Sequence, residues 1–460
     1  MDLPRLIVPP GAAAARIHPV SSRSATVRLP GSKSITNRAL LMAAIAHGPS
    51  VIRNALDCDD SRYMVEALRK LGVQSTEEPE GTWSVTGAGG PFAVKTGELL
   101  LGNAGTTLRF LTAALAASGG TYLVDGDRRM RERPIGDLVK AIAALGGDIS
   151  APTGSPPVKI GPRGFVGGRV DIRGSTSSQF VSALLMAAPL APKRVEVRVT
   201  GELVSRPYID LTLEGMRAFG AKVFADDRRA DGQPVFEVVP GRGYRGRDYT
   251  VEGDASAASY FYAAAAITGS TIRVEGVGKE TQQGDARAAD VLAAMGCRVK
   301  KEPDVITVTG GLLKKVDWNC ADIPDVVPTL AVVALFAHGR TRLFGVPHLK
   351  HKESNRIASV ASELRKLGGQ VKELPDGLQI DGTLGPNPTT LHEAVIDPWG
   401  DHRIAMAFAI AGLVIPGVVI REPQVVTKSF PRFFGVLSTL GARIEFVDLH
   451  GAPVEGDEAR

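Results

Sequence analysis

A helical stretch closing on an apolar residue and glycine recurs six times along this 460-residue chain, and no other feature limits its fold so tightly. The copies are EALRKLGV, KAIAALGG, EGMRAFGA, VLAAMGCR, ELRKLGGQ and VLSTLGAR, with glycines at Gly72, Gly146, Gly220, Gly296, Gly368 and Gly441. They are about 74 residues apart, and each stands where a left-handed cap ends a helix. A short alternating segment follows each, such as ARIEFV or CRVKKE, and reads as a strand. About 40 residues before each glycine, a polar turn opens a helix of small residues. The openings are GSKSITNRA, GNAGTTLRF, GSTSSQFVS, GDASAASYF, ADIPDVVPT and DPWGDHRIA. A strand-like segment precedes each opening, as at 25–29 or in GELLL and EAVID, and another follows the helix, as in TYLVDG and TIRVEGV. The unit is strand, helix, strand, helix, strand hairpin.

Six such units exceed one core, so an α/β fold of two similar domains with three repeats each is expected. A strand separates the two helices of a unit, so they run parallel and their amino-terminal ends face one way. Helix amino-termini carry unpaired N–H groups and about half a positive charge each, which suits anions.

The composition is that of an ordinary globular chain, 44% hydrophobic and 22% charged. Cys58, Cys297 and Cys320 form no close pair, which argues against a disulfide framework or a zinc knuckle and fits a reducing compartment. The first twenty residues lack a basic region followed by an apolar core, and no apolar run is long enough to span a bilayer, so a cytoplasmic protein is expected. The net charge of +5 is spread among nearly as many acids and aromatics are only 5%, a pattern of solvated faces rather than of nucleic-acid binding.

The openings hold more than caps. The first carries Lys33, Ser34 and Arg38, the second Asn103, Gly105, Thr106 and Arg109, and the third Ser177, Ser178 and Gln179. The fifth carries Asp325, and the sixth Asp401, His402 and Arg403. The starts of the second helices add Arg133, Ser205, Arg206, Lys352, Glu353, Arg356 and Lys428. Each has an ordinary reading, such as Ser177 as a cap or Glu353 with Arg356 as a helical pair. Recurrence at one phase of the repeat weakens that reading for the set. Arginine suits a bidentate grip on phosphate or carboxylate and lysine a point charge, so more than one anionic group is implied. Asp325 and Glu353 would repel a phosphate and are read as proton-transfer or hydroxyl-binding groups. No cluster has metal-ligand spacing, a P-loop and a dinucleotide fingerprint are absent, and DCDD at 57–60 reads as a helix start.

In order, PGSKSITNR, LGNAGTTLRF, RMRERPIGDL, GSTSSQF, SRPYID, VEGDASAASYF, IPDVVPTLA, KHKESNRI, GDHRIAMA and KSFP resemble the 5-enolpyruvylshikimate-3-phosphate synthase family, over nearly the whole chain. The resemblance implies the enolpyruvyl transferase fold, an inverse α/β barrel. The first domain is expected from 1–31 and 252–460, the second from 32–251, with the active site in the cleft between them. It implies transfer of the enolpyruvyl group of phosphoenolpyruvate to the 5-hydroxyl of shikimate 3-phosphate, through a tetrahedral intermediate, by a monomer without cofactor or metal.

Carried over by motif, Lys33, Ser34, Arg38, Ser177, Ser178, Gln179, Ser205, Asp325 and Lys352 would hold shikimate 3-phosphate. Lys33, Asn103, Gly105, Arg133, Gln179, Arg356, Arg403 and Lys428 would hold phosphoenolpyruvate. Asp325, Glu353 and Lys33 would move protons. Glyphosate is the expected inhibitor, with Gly105 against its pocket. The chain departs from the family pattern at Phe110, where proline is common, at Thr107, and at His348, where asparagine often contacts the shikimate moiety. The related UDP-N-acetylglucosamine enolpyruvyl transferases place a cysteine before an arginine-proline pair, and GDRRMRERP has none. A non-catalytic anion binder would need neither Asp325 nor Glu353.

Overall fold

The helices that open at the polar turns are the innermost part of the computed structural model, which describes residues 6–21, 23–227, 231–241, 243–382 and 390–454. Residues 1–5 and 455–460, the ends of the first expected domain, lie outside the described residues. Lys33–Ile45, Gly105–Ser118 and Ser178–Ala187 are buried on nearly every side. Alanine and leucine favour helix, and a helix apolar all round belongs inside. The helices that end at the repeated glycines differ: Asp59–Lys70, Gly136–Ala144 and Arg206–Ala218 bury one face. The division recurs between Ala255–Thr268, Val327–Leu335 and His402–Ala411 on the one hand and Ala288–Ala294 and Arg356–Lys366 on the other. Phe433–Ser438 is a short exception, buried along most of its length. All six repeated glycines have positive φ, from 83° to 110°, so each ends its helix in a region that side chains disfavour.

Among the described residues, six four-stranded sheets share one topology. In the second repeat Thr96–Leu100 runs parallel to Thr121–Asp125, which pairs antiparallel with Val158–Ile160, and that with Ile149–Ser150. Strands such as Val195–Thr200 alternate buried and less buried residues, so one face of each sheet covers helices.

The repeat departs from the expected pattern at two openings. Ser24–Arg28, which leads into the first opening, pairs in parallel with Thr271–Glu275. Asp248–Thr250, which leads towards the fourth, pairs in parallel with Pro49–Arg53. The two strands are exchanged between repeats distant in sequence. The last hairpin is also completed from afar: Ala14–Ile17 lies antiparallel to both Val419–Arg421 and Ile444–Val447. An unpaired sheet edge leaves backbone groups unsatisfied, and the amino-terminal strands fill two such positions.

By its internal contacts the chain divides into a composite unit, Met1–Pro30 with Gly253–Arg460, and a continuous unit, Gly31–Glu252. Each has its own apolar core. Cys58, Cys297 and Cys320 are buried and unpaired with one another. No described helix is long and apolar enough to cross a membrane.

Candidate functional site

In the composite unit the fifth and sixth openings and the start of helix Arg356–Lys366 bring five of the expected residues together. Asp325, in the turn that leads into Val327–Leu335, receives Arg356 Nη1 at 2.9 Å, Arg403 Nη2 at 2.8 Å and Lys352 Nζ at 3.4 Å. Burial alone would raise its pKa, but Arg403, Lys352 and Arg356 outweigh burial and the nearby Glu353, holding the carboxyl well below the usual range. Glu353 Oε2 accepts from Arg356 Nη2 at 2.8 Å. Arg356 is itself 1% exposed, and its Nε donates to Asp401 Oδ2 at 2.8 Å. Burial disfavours its charge, yet Asp401, Glu353 and Asp325 together raise its pKa above the ordinary arginine value.

Asp401 is fully buried and caps helix His402–Ala411 by accepting from Arg403 N at 3.0 Å. His402 is buried beside it, and Lys428 is buried at the end of the turn Pro423–Lys428. His348 is buried near Lys352, and neither ring nitrogen has a hydrogen-bond partner among the described residues. Burial, then the Lys352 charge, pushes its pKa down to about 3, so the imidazole is neutral at physiological pH.

The continuous unit treats its cations differently. Arg38 donates from Nε to Thr212 Oγ1 at 2.8 Å and from Nη1 to Ser34 O at 2.9 Å. Its Nη2 reaches Tyr208 O at 3.0 Å and Ser182 Oγ at 3.3 Å, and its guanidinium lies 5.0 Å from the Phe110 ring centroid. These partners are all neutral. Burial lowers its pKa to about 10, which leaves it charged. Phe110, the departure from the family's proline, supplies an aromatic face to this cation.

Arg109 Nη1 donates to Gly105 O at 3.0 Å and Gln179 Oε1 at 3.1 Å, over the Phe180 ring at 5.5 Å. Gln179 in turn reaches Thr106 Oγ1 at 3.2 Å, and Arg133 donates to Asn103 Oδ1 at 2.9 Å. A methyl on Gly105 would lie 2.5 Å from Arg109 Nη1 and 2.7 Å from Arg133 Nη2, so only glycine lets both guanidiniums close over this helix start.

Lys33, by contrast, pairs with a carboxylate, Asp60 Oδ2, at 3.0 Å. Ser177 caps Ser178–Ala187 through Gln179 N, and Ser178 is buried at that helix start. Ser205 is buried with φ 56°, a left-handed conformation at the start of Arg206–Ala218. Arg206, grouped with the anion-binding cations from its position, is instead held by Asp227 and Asp210 at 2.7 and 2.8 Å.

Several partners were not singled out from the sequence. Asp60 sits in a first-turn acidic run that reads as a helix start, while Ser182 and Thr212 lie inside helices with no local mark of their role. Among the described residues no group of three or more His, Cys, Asp or Glu could hold a metal ion.

A family model described as EPSP synthase (3-phosphoshikimate 1-carboxyvinyltransferase) matches residues 17–437. The 3-phosphoshikimate 1-carboxyvinyltransferase of Thiobacillus denitrificans is 47% identical over 426 residues, 91% of this chain and 97% of the relative. That of Sulfurovum sp. is 45% identical over 431 residues, 93% of this chain and 99% of the relative. The solved structure of EPSP synthase from Acinetobacter baumannii superposes with a TM-score of 0.76 at 28% identity, covering 94% of this chain and 99% of that one.

Proposed function

Because the chain belongs to the EPSP synthase (3-phosphoshikimate 1-carboxyvinyltransferase) family, we propose that it transfers the enolpyruvyl group of phosphoenolpyruvate to the 5-hydroxyl of shikimate 3-phosphate. The observation that carries this reading is the excess of cations over carboxylates at the helix starts. Three cations crowd Asp325 within 3.4 Å, and Arg38 is buried on neutral partners. The two substrates together bring two phosphates and two carboxylates, which meets that excess.

In this reading Arg38, with Ser34, Ser177, Ser178 and Ser205, serves the shikimate substrate. Arg133, Arg356, Arg403 and Lys428 serve phosphoenolpyruvate, and Gln179 contributes to both. The 5-hydroxyl oxygen attacks C2 of phosphoenolpyruvate as C3 gains a proton, giving a tetrahedral intermediate. Loss of a C3 proton then expels phosphate and restores the double bond. Asp325 takes the hydroxyl proton, and Glu353 and Lys33 handle protons at C3 and at the departing phosphate.

The low pKa of Asp325 keeps it ionised and ready to accept a proton. Anions that draw Arg403, Lys352 and Arg356 towards themselves leave that carboxylate less stabilised, so its basicity rises as the substrates bind. The same cations stabilise charge on the leaving phosphate. Glyphosate competes with phosphoenolpyruvate, and the enzyme works as a cytoplasmic monomer. The chemistry is acid–base throughout and calls on no redox or metal cofactor. Release of inorganic phosphate from phosphoenolpyruvate, dependent on shikimate 3-phosphate and insensitive to EDTA, tests the reading. No release by folded protein would refute it.

A further inference from the structure

Helix Arg356–Lys366 holds the turn before His402 at two places. At its start Arg356 grips Asp401. Two turns further along the same face, Glu363 is fully buried although it is a carboxylate. Its Oε1 accepts from the indole Nε1 of Trp399 at 2.9 Å, and its Oε2 accepts from Asp397 N at 3.0 Å and Lys366 Nζ at 2.7 Å. A buried carboxylate persists only when its oxygens are satisfied, and the 397–399 segment supplies two of these three donors.

The turn itself is built against local preference. Asp401 N closes it on Pro398 O at 2.9 Å, and its two central residues, Trp399 and Gly400, have φ of 58° and 66°. Positive φ at both central positions is the pattern of a type I′ turn, where asparagine, aspartate or glycine is favoured and a tryptophan is strained. The indole is 50% exposed, so burial does not explain the choice. Its N–H bond to Glu363 does. The turn ends at Asp401, whose carboxylate orients Arg356 directly and receives Arg403 N.

We infer that Glu363 and Trp399 are positioning residues, which fix the 397–401 turn so that Asp401 aims Arg356 and Arg403 at phosphoenolpyruvate. The inference rests on the proposed function, and it extends the machinery to groups that touch no substrate. Trp399→Asn and Trp399→Phe separate positioning from folding. Asparagine suits the left-handed turn and phenylalanine keeps the ring, but neither places an indole N–H on Glu363.

Steady-state phosphate release is measured for the wild type and both variants, with each substrate varied in turn, alongside thermal melts. For both variants KM for phosphoenolpyruvate is expected to rise about tenfold, below the hundredfold that a ~1 Å misplacement can cause, with KM for shikimate 3-phosphate within about twofold. The melting temperature of Trp399→Asn should fall only slightly, because relief of turn strain offsets part of the cost of leaving Glu363 Oε1 without its donor. Unchanged KM for phosphoenolpyruvate in both variants, or equal rises for the two substrates, overturns the inference. An inactive wild type would sink the functional reading instead. If Trp399→Asn does not fold, Trp399→Phe alone decides.

Discussion

The two units hold their buried cations by opposite means. In the composite unit Arg356 and Arg403 are pinned by Asp325, Glu353 and Asp401, whereas in the continuous unit Arg38 rests on hydroxyls, carbonyls and an aromatic face. A cation on carboxylates is held firmly but largely neutralised, so an arriving anion must compete for it. A cation on neutral partners keeps most of its charge for a ligand, and its low-dielectric setting strengthens that attraction. Lys33 with Asp60 shows that the division is by cluster and not absolute.

The largest effect should come from breaking the carboxylate-held cluster. Arg356→Ala strands Asp401, which is fully buried, together with Glu353 and Asp325, and removing one partner of a buried pair costs about 3–5 kcal/mol. Denaturant melts should show that loss, and phosphate release should fall with it. Arg38→Ala is the counterpart. Thr212 Oγ1 still donates to Ser182 Oγ at 2.8 Å or Tyr208 O at 2.9 Å, so no charge is orphaned and stability should suffer less. Affinity for shikimate 3-phosphate should instead drop by one to two decades, from the loss of about 1.5–3 kcal/mol in a charge-assisted contact. Calorimetric titration measures it, and intact affinity would remove Arg38 from the substrate set.

A smaller effect is expected at Gly105. The added methyl of Gly105→Ala meets Arg109 Nη1 at 2.5 Å and Arg133 Nη1 at 2.8 Å, and these flexible ends can shift. Overpacking of about 1–3 kcal/mol should raise the inhibition constant for glyphosate, the longer ligand, by a larger factor than KM for phosphoenolpyruvate. Equal factors in steady-state kinetics would show that the cluster around Gly105 does not discriminate by length.

At neutral pH the smallest effect is that of His348, which appears only in acid. His348 has a depressed folded pKa of about 3 against 6.5 for the free group, so below pH 6.5 the unfolded chain binds a proton that the folded chain does not. Folding stability therefore declines through His348 as pH falls from about 6.5 to 3, and the loss levels off below that. His348→Asn should flatten this part of the curve in denaturant melts. An unchanged slope would mean that the imidazole is not held neutral in the fold.

The repeated unit was legible because its signals are local: a glycine that must adopt positive φ and a run of small residues that must be buried. The exchanged strands were not, since Ser24–Arg28 reads as a strand whichever sheet receives it. The cations were visible for their unusual place at helix starts. The groups that support them were hidden, because nothing near Glu363 marks it apart from other helical acids, and two of its three donors, Asp397 and Trp399, lie 34 and 36 residues away. Chemistry concentrated at one phase of a repeat shows in a single chain, whereas pairing between phases shows only after folding.

The exchanged strands also set an order of events on the ribosome. Gly31–Glu252 can complete its sheets once Asp248–Thr250 has emerged, but Ser24–Arg28, synthesised long before its partner Thr271–Glu275, must wait. Residues such as Arg23 and Ser270, which meet across that pairing, are 247 positions apart, a delay of roughly 12–50 s at ~5–20 residues per second. Ala14–Ile17 waits longer still, for Val419–Arg421 and Ile444–Val447. The nascent chain thus carries its first strands as open backbone edges for most of its synthesis, and the composite unit closes only when the last repeat is made.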